Sequence, residues 1–202
     1  MEGVSAPSKR RLVLLGRLLA DYTQKQITSQ DVELLTGWSA SQVRRDISSL
    51  GINCGASNGY KVEELKKAIE AFAGETSVKK CCIVGLGRMG QMLLESSELF
   101  DSAFTIVAGF DSNVNRTEVL RSSFPLHPTT KMESVIKEDG IEFAILTTGS
   151  DEAQSITKRL CACGIKGIVN YTPCLLTVPQ TVSVENVCLL TALETLAASS
   201  AS

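Results

Sequence analysis

Residues 80–84, Lys-Cys-Cys-Ile-Val, form a short apolar run that ends directly on Gly85-Leu86-Gly87-Arg88-Met89-Gly90. No other feature limits the fold of this chain so strongly. The run predicts a strand, and Met92, Leu93, Leu94 and Leu99 predict an amphipathic helix after the glycines. A second apolar run, residues 104–110, ends on Asp111, which lies 21 residues beyond Gly90. An isolated G-x-G-x-x-G is weak. One that follows a strand, opens a helix and leads to an acid after the next strand points to a parallel α/β sheet of the Rossmann type. Each glycine has a reason in that setting. Gly85 permits the tight turn, Gly87 leaves room for a pyrophosphate, and Gly90 lets the helix pack close to the sheet. Arg88 and Met89 open the helix, whose free N–H groups favour phosphate. Asp111 is expected to accept hydrogen bonds from an adenosine ribose and to repel a 2′-phosphate. The expected cofactor is therefore NAD(H) rather than NADP(H). The same layout also suits a nucleotide fold that has lost its ligand.

The alternation continues. Residues 142–147 predict a strand leading into Thr148-Gly149-Ser150, and Thr147, Thr148 and Gly149 are placed at the carboxyl edge of the sheet as cofactor contacts. A helix over residues 152–163, a strand at 167–170 and an apolar stretch at 175–178 follow. Residues 187–198 are rich in Leu and Ala and predict a last helix. Its Leu189, Leu190, Leu193 and Leu196 form an apolar stripe that is expected to pack on a second copy of the chain; capping its own sheet would cover the stripe equally. His127, between Leu126 and Pro128, reads as a surface-loop residue.

The first 75 residues read differently. Leu12, Leu15, Leu18, Leu19 and Tyr22 recur at helical spacing over residues 8–23. A second helix follows Thr28, with Asp31 three residues on, and stops at Gly37. A third begins at Ser39, where Ser39-Ala-Ser-Gln42 is a capping box. Val43, Ile47 and Leu50 form its apolar side, and Ser41, Gln42, Arg44, Arg45 and Ser48 its exposed side. Two short helices around Gly37-Trp38 match a helix-turn-helix. Residues 52–60, with two glycines and two asparagines, suit a β-hairpin wing before a fourth helix at 62–72. The third helix is expected to enter a DNA major groove, with Arg44 and Arg45 on bases or phosphates. Ser39, Ser41, Gln42 and Ser48, and Lys9 and Arg10 on the first helix, complete the candidate contacts. Spacing alone suits a plain helical bundle with a solvated Arg-Arg face equally well. Residues 72–78 read as a linker, giving expected domains at 1–75 and 76–202.

Composition narrows the function. The chain has 202 residues, 20 basic and 22 acidic side chains, and one histidine. Near-balance argues against a uniformly basic coat, and a single histidine excludes sites that need two. The balance hides a split: residues 7–50 hold seven basic against four acidic side chains, and residues 76–202 hold ten against thirteen. Seven cysteines with no C-x-x-C pair read as small buried thiols of a reducing cytoplasm. No apolar run reaches membrane-spanning length, and residues 1–9 carry no secretory h-region, so a cytoplasmic location with no membrane partner is expected.

With both halves in view, the chain resembles the Rex family of redox-sensing transcriptional repressors, from about Lys9 to Leu196. The resemblance is carried by Gln42-Val-Arg-Arg-Asp46, Gly59-Tyr60-x-Val62-Glu-Glu-Leu65 and the glycine loop. Further pieces are Gly164-Ile-Lys-Gly-Ile-Val-Asn170 with Pro173, and Val184-Glu-Asn-Val187. It implies an N-terminal winged-helix DNA-binding domain and a C-terminal Rossmann-type domain with a terminal dimerisation helix swapped between subunits. It also implies a non-enzymatic homodimer that holds operator DNA and releases it on binding NADH. Three departures stand out. The wing stretch 52–58 has no basic residue, which predicts weaker phosphate contact. Cys188 and Leu189 replace an acid and an aromatic, and Thr148-Gly149-Ser150 replaces Val-Pro-Arg, which predict a smaller difference between NADH and NAD. Two rivals follow from the same residues. One is a small NAD-dependent oxidoreductase, disfavoured because only about 90 residues follow Asp111. The other is a nucleotide-binding regulator without DNA binding, motivated by the bare wing.

Overall fold

A computed structural model describes residues 4–52, 59–74, 78–95 and 103–200. The chain divides into two compact units, Met1–Ser77 and Val78–Ser202.

The first unit is helical. Its elements are α1 (Ala6–Ala20), β1 (Gln26–Ile27), α2 (Ser29–Thr36), α3 (Ala40–Ser48), β2 (Tyr60–Lys61) and α4 (Val62–Ala73). Local chemistry sets the boundaries. Ser5 caps α1, and Thr28 and Ser39 each make a complete capping box, with Asp31 and Gln42 respectively. Gly37 closes α2 in the left-handed conformation, φ 76°. Leu15, Leu19, Ile27, Val32, Val43, Ile47, Leu65 and Ile69 build one core. A Cβ on Gly16 would lie 2.9 Å from Ile69, so glycine is what lets α1 and α4 approach this closely. Asp46 on α3 is buried and forks with Arg11 of α1, at 2.6 and 3.0 Å. That pair fixes α3 against α1 by two charge-assisted bonds.

The expected wing is met only in part. Residues 53–58 lie outside the described residues. Tyr60–Lys61 pairs antiparallel with Gln26–Ile27, a two-residue strand too short to announce itself by alternation.

The second unit is a six-stranded, wholly parallel sheet in the order β5-β4-β3-β6-β7-β8. The strands are β3 (Lys79–Val84), β4 (Phe104–Asp111), β5 (Leu126–Pro128), β6 (Phe143–Leu146), β7 (Gly167–Asn170) and β8 (Ser183–Asn186). The helices are α5 (Arg88–Glu95), α6 (Val114–Val119), α7 (Met132–Asp139), α8 (Ser150–Ala162) and α9 (Leu189–Ser200). Alternation in β3 divides the core. Cys82 and Val84 join a cluster with Met132, Ile136, Ile156 and Leu160 of α7 and α8. Cys81 and Ile83 join another with Leu93 and Leu94 of α5. Each strand face is thus covered, as a parallel sheet requires. Burial pushes the Cys81 thiol up to about 11 and that of Cys82 further. Both behave as small hydrophobes.

Two elements differ from the sequence expectations. His127 is not in a surface loop. It lies on β5, half-buried, with its ring 5.9 Å from that of Phe110. The last helix begins at Leu189 and runs to Ser200.

Arg159 of α8 bonds both oxygens of Glu133 and the carbonyl of Thr129. The guanidinium holds the Glu133 carboxyl below the usual carboxylate range. A lowered acid contributes stability above the ordinary glutamate range, about pH 4 to 5, and loses it as pH falls through that range and below. Glu133→Gln should therefore flatten the acid side of the stability–pH curve, read by denaturant unfolding at several pH values. An unchanged acid limb would exclude this pair as a contributor.

Candidate dinucleotide cleft and DNA-facing helix

The strand order reverses between β3 and β6. β3 is followed by β4 on one side, and the chain later returns to place β6 on the other. Ligands of such sheets sit at the carboxyl ends of the strands at this switch point. The backbone is tightly closed there. Gly85 N–H donates to Phe110, and Thr147 N–H to Val84. Gly85 has φ +98°, and a Cβ on it would lie 2.7 Å from the Thr147–Thr148 peptide. Thr147 Oγ1 donates to the carbonyl of Gly85 at 2.6 Å. A Cβ on Gly90 would fall 2.0 Å from that same carbonyl oxygen. Gly87 differs: nothing lies within 4 Å of its added Cβ. Two glycines are therefore demanded by the fold, and the third keeps open a space that the fold itself leaves empty.

Asp111 is buried below this loop. Its Oδ2 accepts from Leu86 N–H at 2.6 Å, and its Oδ1 from Asn113 N–H at 2.7 Å. Arg116 Nη1 lies 3.3 Å from Oδ2. The acid thus fixes the glycine loop as well as facing the cleft. The cleft is open to solvent and has a volume of about 100 Å³, and its walls are Gly85, Gly87, Asp111, Ser112, Arg116, Thr129, Thr147, Thr148, Gly149 and Glu152. Thr148 Oγ1 is a buried oxygen with no hydrogen-bond partner among the described residues. Buried polar groups are rarely left unpaired. An open cradle at Gly87, a helix N-terminus beside it and an unpaired hydroxyl on the wall fit a dinucleotide.

Six of the nine sequence-derived cofactor residues line this cleft: Gly85, Gly87, Asp111, Thr147, Thr148 and Gly149. Gly90 packs beneath it. Arg88 and Met89 are exposed on the first turn of α5 and are not among its walls. The sequence reading missed Ser112, Arg116, Thr129 and Glu152. Arg116 had a visible signal, a cation five residues after the strand-end acid. Thr129, in the turn between β5 and α7, and Glu152, in the first turn of α8, reach the cleft only through the packing of separate segments at the sheet edge.

In the first unit, Ser41, Gln42, Arg44, Arg45 and Ser48 are exposed on α3. Ser39 and Gln42 have a structural task already. Ser39 Oγ accepts from Gln42 N–H, and Gln42 Oε1 accepts from Ser39 N–H at 3.1 Å. Arg44 Nη1 donates to Ser29 Oγ at 3.0 Å. Lys9 and Arg10 are exposed on α1, next to Arg11, which reaches α3 at Asp46.

Among the described residues no cluster of His, Cys, Asp or Glu is arranged to hold a metal, and no helix is long and apolar enough to cross a membrane.

Comparison with known proteins agrees with this architecture. A family model described as a CoA-binding domain matches residues 76–174. The redox-sensing transcriptional repressor Rex of Levilactobacillus brevis is 34% identical, over 89% of this chain and 84% of that protein. The Rex of Limosilactobacillus reuteri is 31% identical over the same shares. Among solved structures, RSP, a Rex-family repressor, superposes with a TM-score of 0.85 at 30% identity, covering 98% of this chain and 93% of RSP. RSP in complex with β-NAD+ and operator DNA gives a TM-score of 0.88, covering 98% and 92%. RSP with β-NADH gives 0.84, covering 98% and 94%. At this identity, over nearly the full length of both units, the chain belongs to the Rex family of redox-sensing transcriptional repressors.

Proposed function

We infer that this protein represses transcription by holding operator DNA through α3 and releasing it when NADH enters the cleft. One observation carries the reading: a single chain joins an exposed, capped α3 to a cleft built for a dinucleotide. Its family relatives are named as redox-sensing repressors, and RSP has been crystallised with β-NAD+, with β-NADH and with operator DNA. The protein is accordingly a regulator, not an enzyme, and NAD(H) is its effector. The N-terminal unit is the DNA-binding domain, and the C-terminal unit binds the cofactor. In the cleft, the α5 N-terminus and the backbone at Gly87 would hold the pyrophosphate. Asp111 would face the adenosine ribose, and Thr148 would gain the partner its hydroxyl lacks. A cytoplasmic location follows from a chromosomal partner.

The protein acts as a homodimer, with α9 supplying much of the interface. Two copies present two α3 helices to a palindromic site one or more turns of DNA apart.

Selection from a random duplex pool tests the reading. An inverted repeat should be enriched without cofactor, and adding NADH should suppress its recovery. Failure to enrich any sequence while NADH still binds would instead favour the regulator without DNA binding.

Within α3, Arg44→Ala and Arg45→Ala are expected to act differently. Loss of a bidentate base contact costs ~1–3 kcal/mol on the selected duplex alone. Loss of a phosphate contact weakens specific and random duplexes alike and lowers the salt slope by about one. Anisotropy titrations on both duplexes at several salt concentrations separate the two. If neither variant changes either affinity, α3 is not the DNA-facing helix.

A further inference from the structure

Two stretches singled out in the sequence, residues 164–170 and 184–187, have no task in the cleft or on α3. They meet at Asn170. This residue is fully buried at the carboxyl end of β7 and stands opposite Asn186 of β8. Its Nδ2 donates to the carbonyl of Cys174 and to Oδ1 of Asn186, both at 2.8 Å. Its Oδ1 accepts from the N–H of Thr172 at 3.0 Å and from the Thr172 hydroxyl at 2.7 Å. A primary amide has two N–H donors and two carbonyl lone pairs. All four are used, and only this orientation of the amide satisfies them. The backbone carbonyl of Asn170 also accepts from Val187 N–H at 2.9 Å.

The two arms of this network lead to different places. Asn186 and Val187 are the last residues before Cys188 and α9. Cys174 belongs to the loop after β7, and that loop is bound to the start of α8. Cys174 Sγ donates to the Ser150 carbonyl at 3.6 Å. Gln154 Nε2 donates to Thr177 O, and Thr177 N–H donates to Gln154 Oε1, both at 2.9 Å. Gly149 and Glu152, at the same end of α8, are walls of the cleft. A continuous set of bonds therefore runs from the cleft wall through the 171–177 loop and Asn170 to the root of α9. Asn170 and Thr172, at the hub of this network, are buried and fully bonded, so the hub carries its two arms with it, because leaving one of its buried groups unpaired is costly.

We propose that Asn170 is a positioning residue that ties the cleft wall to the root of α9, so that cofactor binding in the cleft sets the direction in which α9 leaves the sheet. The proposal rests on the reading that NADH in the cleft releases DNA from a dimer held by α9, and it adds residues through which that signal passes.

Asn186 gives the cleanest test, because it is exposed and its loss leaves the Thr172 and Cys174 bonds in place. Asn186→Ala removes one acceptor from Asn170, and Asn186→Asp keeps an oxygen there. Three quantities are measured on parent and variants: NADH affinity by calorimetry, DNA affinity without cofactor, and DNA affinity with saturating NADH. Asn186→Ala should keep the first two within about twofold and lose about tenfold of the NADH effect on DNA. Asn186→Asp should restore that effect. Asn170→Asp, which sets an oxygen against two acceptors, should lose the effect more completely if it folds. General damage would instead lower NADH and DNA affinity together, and that result overturns the proposal. So does an Asn186→Ala protein that responds to NADH as the parent does. A parent with no NADH response removes the functional reading and the proposal together, whereas a responsive parent with a responsive Asn186→Ala removes the proposal alone.

Discussion

Gly87→Ala is expected to fold as the parent does and to bind NADH about 5- to 150-fold more weakly. The fold leaves 4 Å of open space around the added methyl, so unfolding by denaturant should be unchanged. In the bound state the same methyl would occupy the space of the pyrophosphate, and overpacking of this kind costs ~1–3 kcal/mol. Gly90→Ala is the contrast. Its methyl would stand 2.0 Å from the Gly85 carbonyl oxygen, which is backbone and has nowhere to go. That variant should lose stability by upwards of about 3 kcal/mol, whether or not cofactor is present. Calorimetry with NADH and denaturant unfolding on both variants check the pair. A Gly87→Ala protein with parental affinity would mean that the loop does not cradle phosphate.

A chain truncated before Val187 is expected to lose its dimer and with it specific DNA binding. All twelve residues of α9 are exposed, and Leu189 and Leu196 are 78% and 63% accessible. Leu190 and Leu193 extend the same apolar surface. Burying each leucine against a partner contributes ~1.5–3 kcal/mol. Leaving them in water makes a contiguous apolar patch of the kind that marks an interface. Sedimentation should show monomer or aggregate for the truncated chain and dimer for the full one. A truncated protein that remains a dimer and still selects an inverted repeat would refute the assignment of α9.

Where side chains alternate or cap, the structure follows the sequence closely. The run before Gly85 is β3, the acid after the second run is at the end of β4, and Ser39 makes the capping box that its spacing announced; Thr28 and Asp31, an imperfect match in sequence, make a second complete one. What the sequence concealed has physical reasons. β8 is an edge strand of four residues whose side chains are mostly exposed, so it carries no apolar alternation. β5 has three residues and ends in Pro128, which made His127 read as loop. α6 buries nothing and left no periodic pattern. The cleft was legible where one segment supplies the residues, as at Gly85 and Gly87. It was hidden where separate segments converge, as at Thr129 and Glu152. Asp111 shows a mixed case. Its position was legible, but its bonds come from three separate places: Leu86 in the glycine loop after β3, Asn113 in the turn after β4, and Arg116 on α6.

The central claim is that the cofactor in the cleft decides whether α3 holds DNA. The direct measurement is fluorescence anisotropy of the selected duplex in complex with the full chain, titrated separately with NADH and with NAD+. The account predicts release by NADH at concentrations where NAD+ leaves the complex intact. Cys188 and Leu189 should make the gap between the two smaller than in relatives with an acid and an aromatic there. Equal displacement by both cofactors, or a complex that survives saturating NADH, would contradict it.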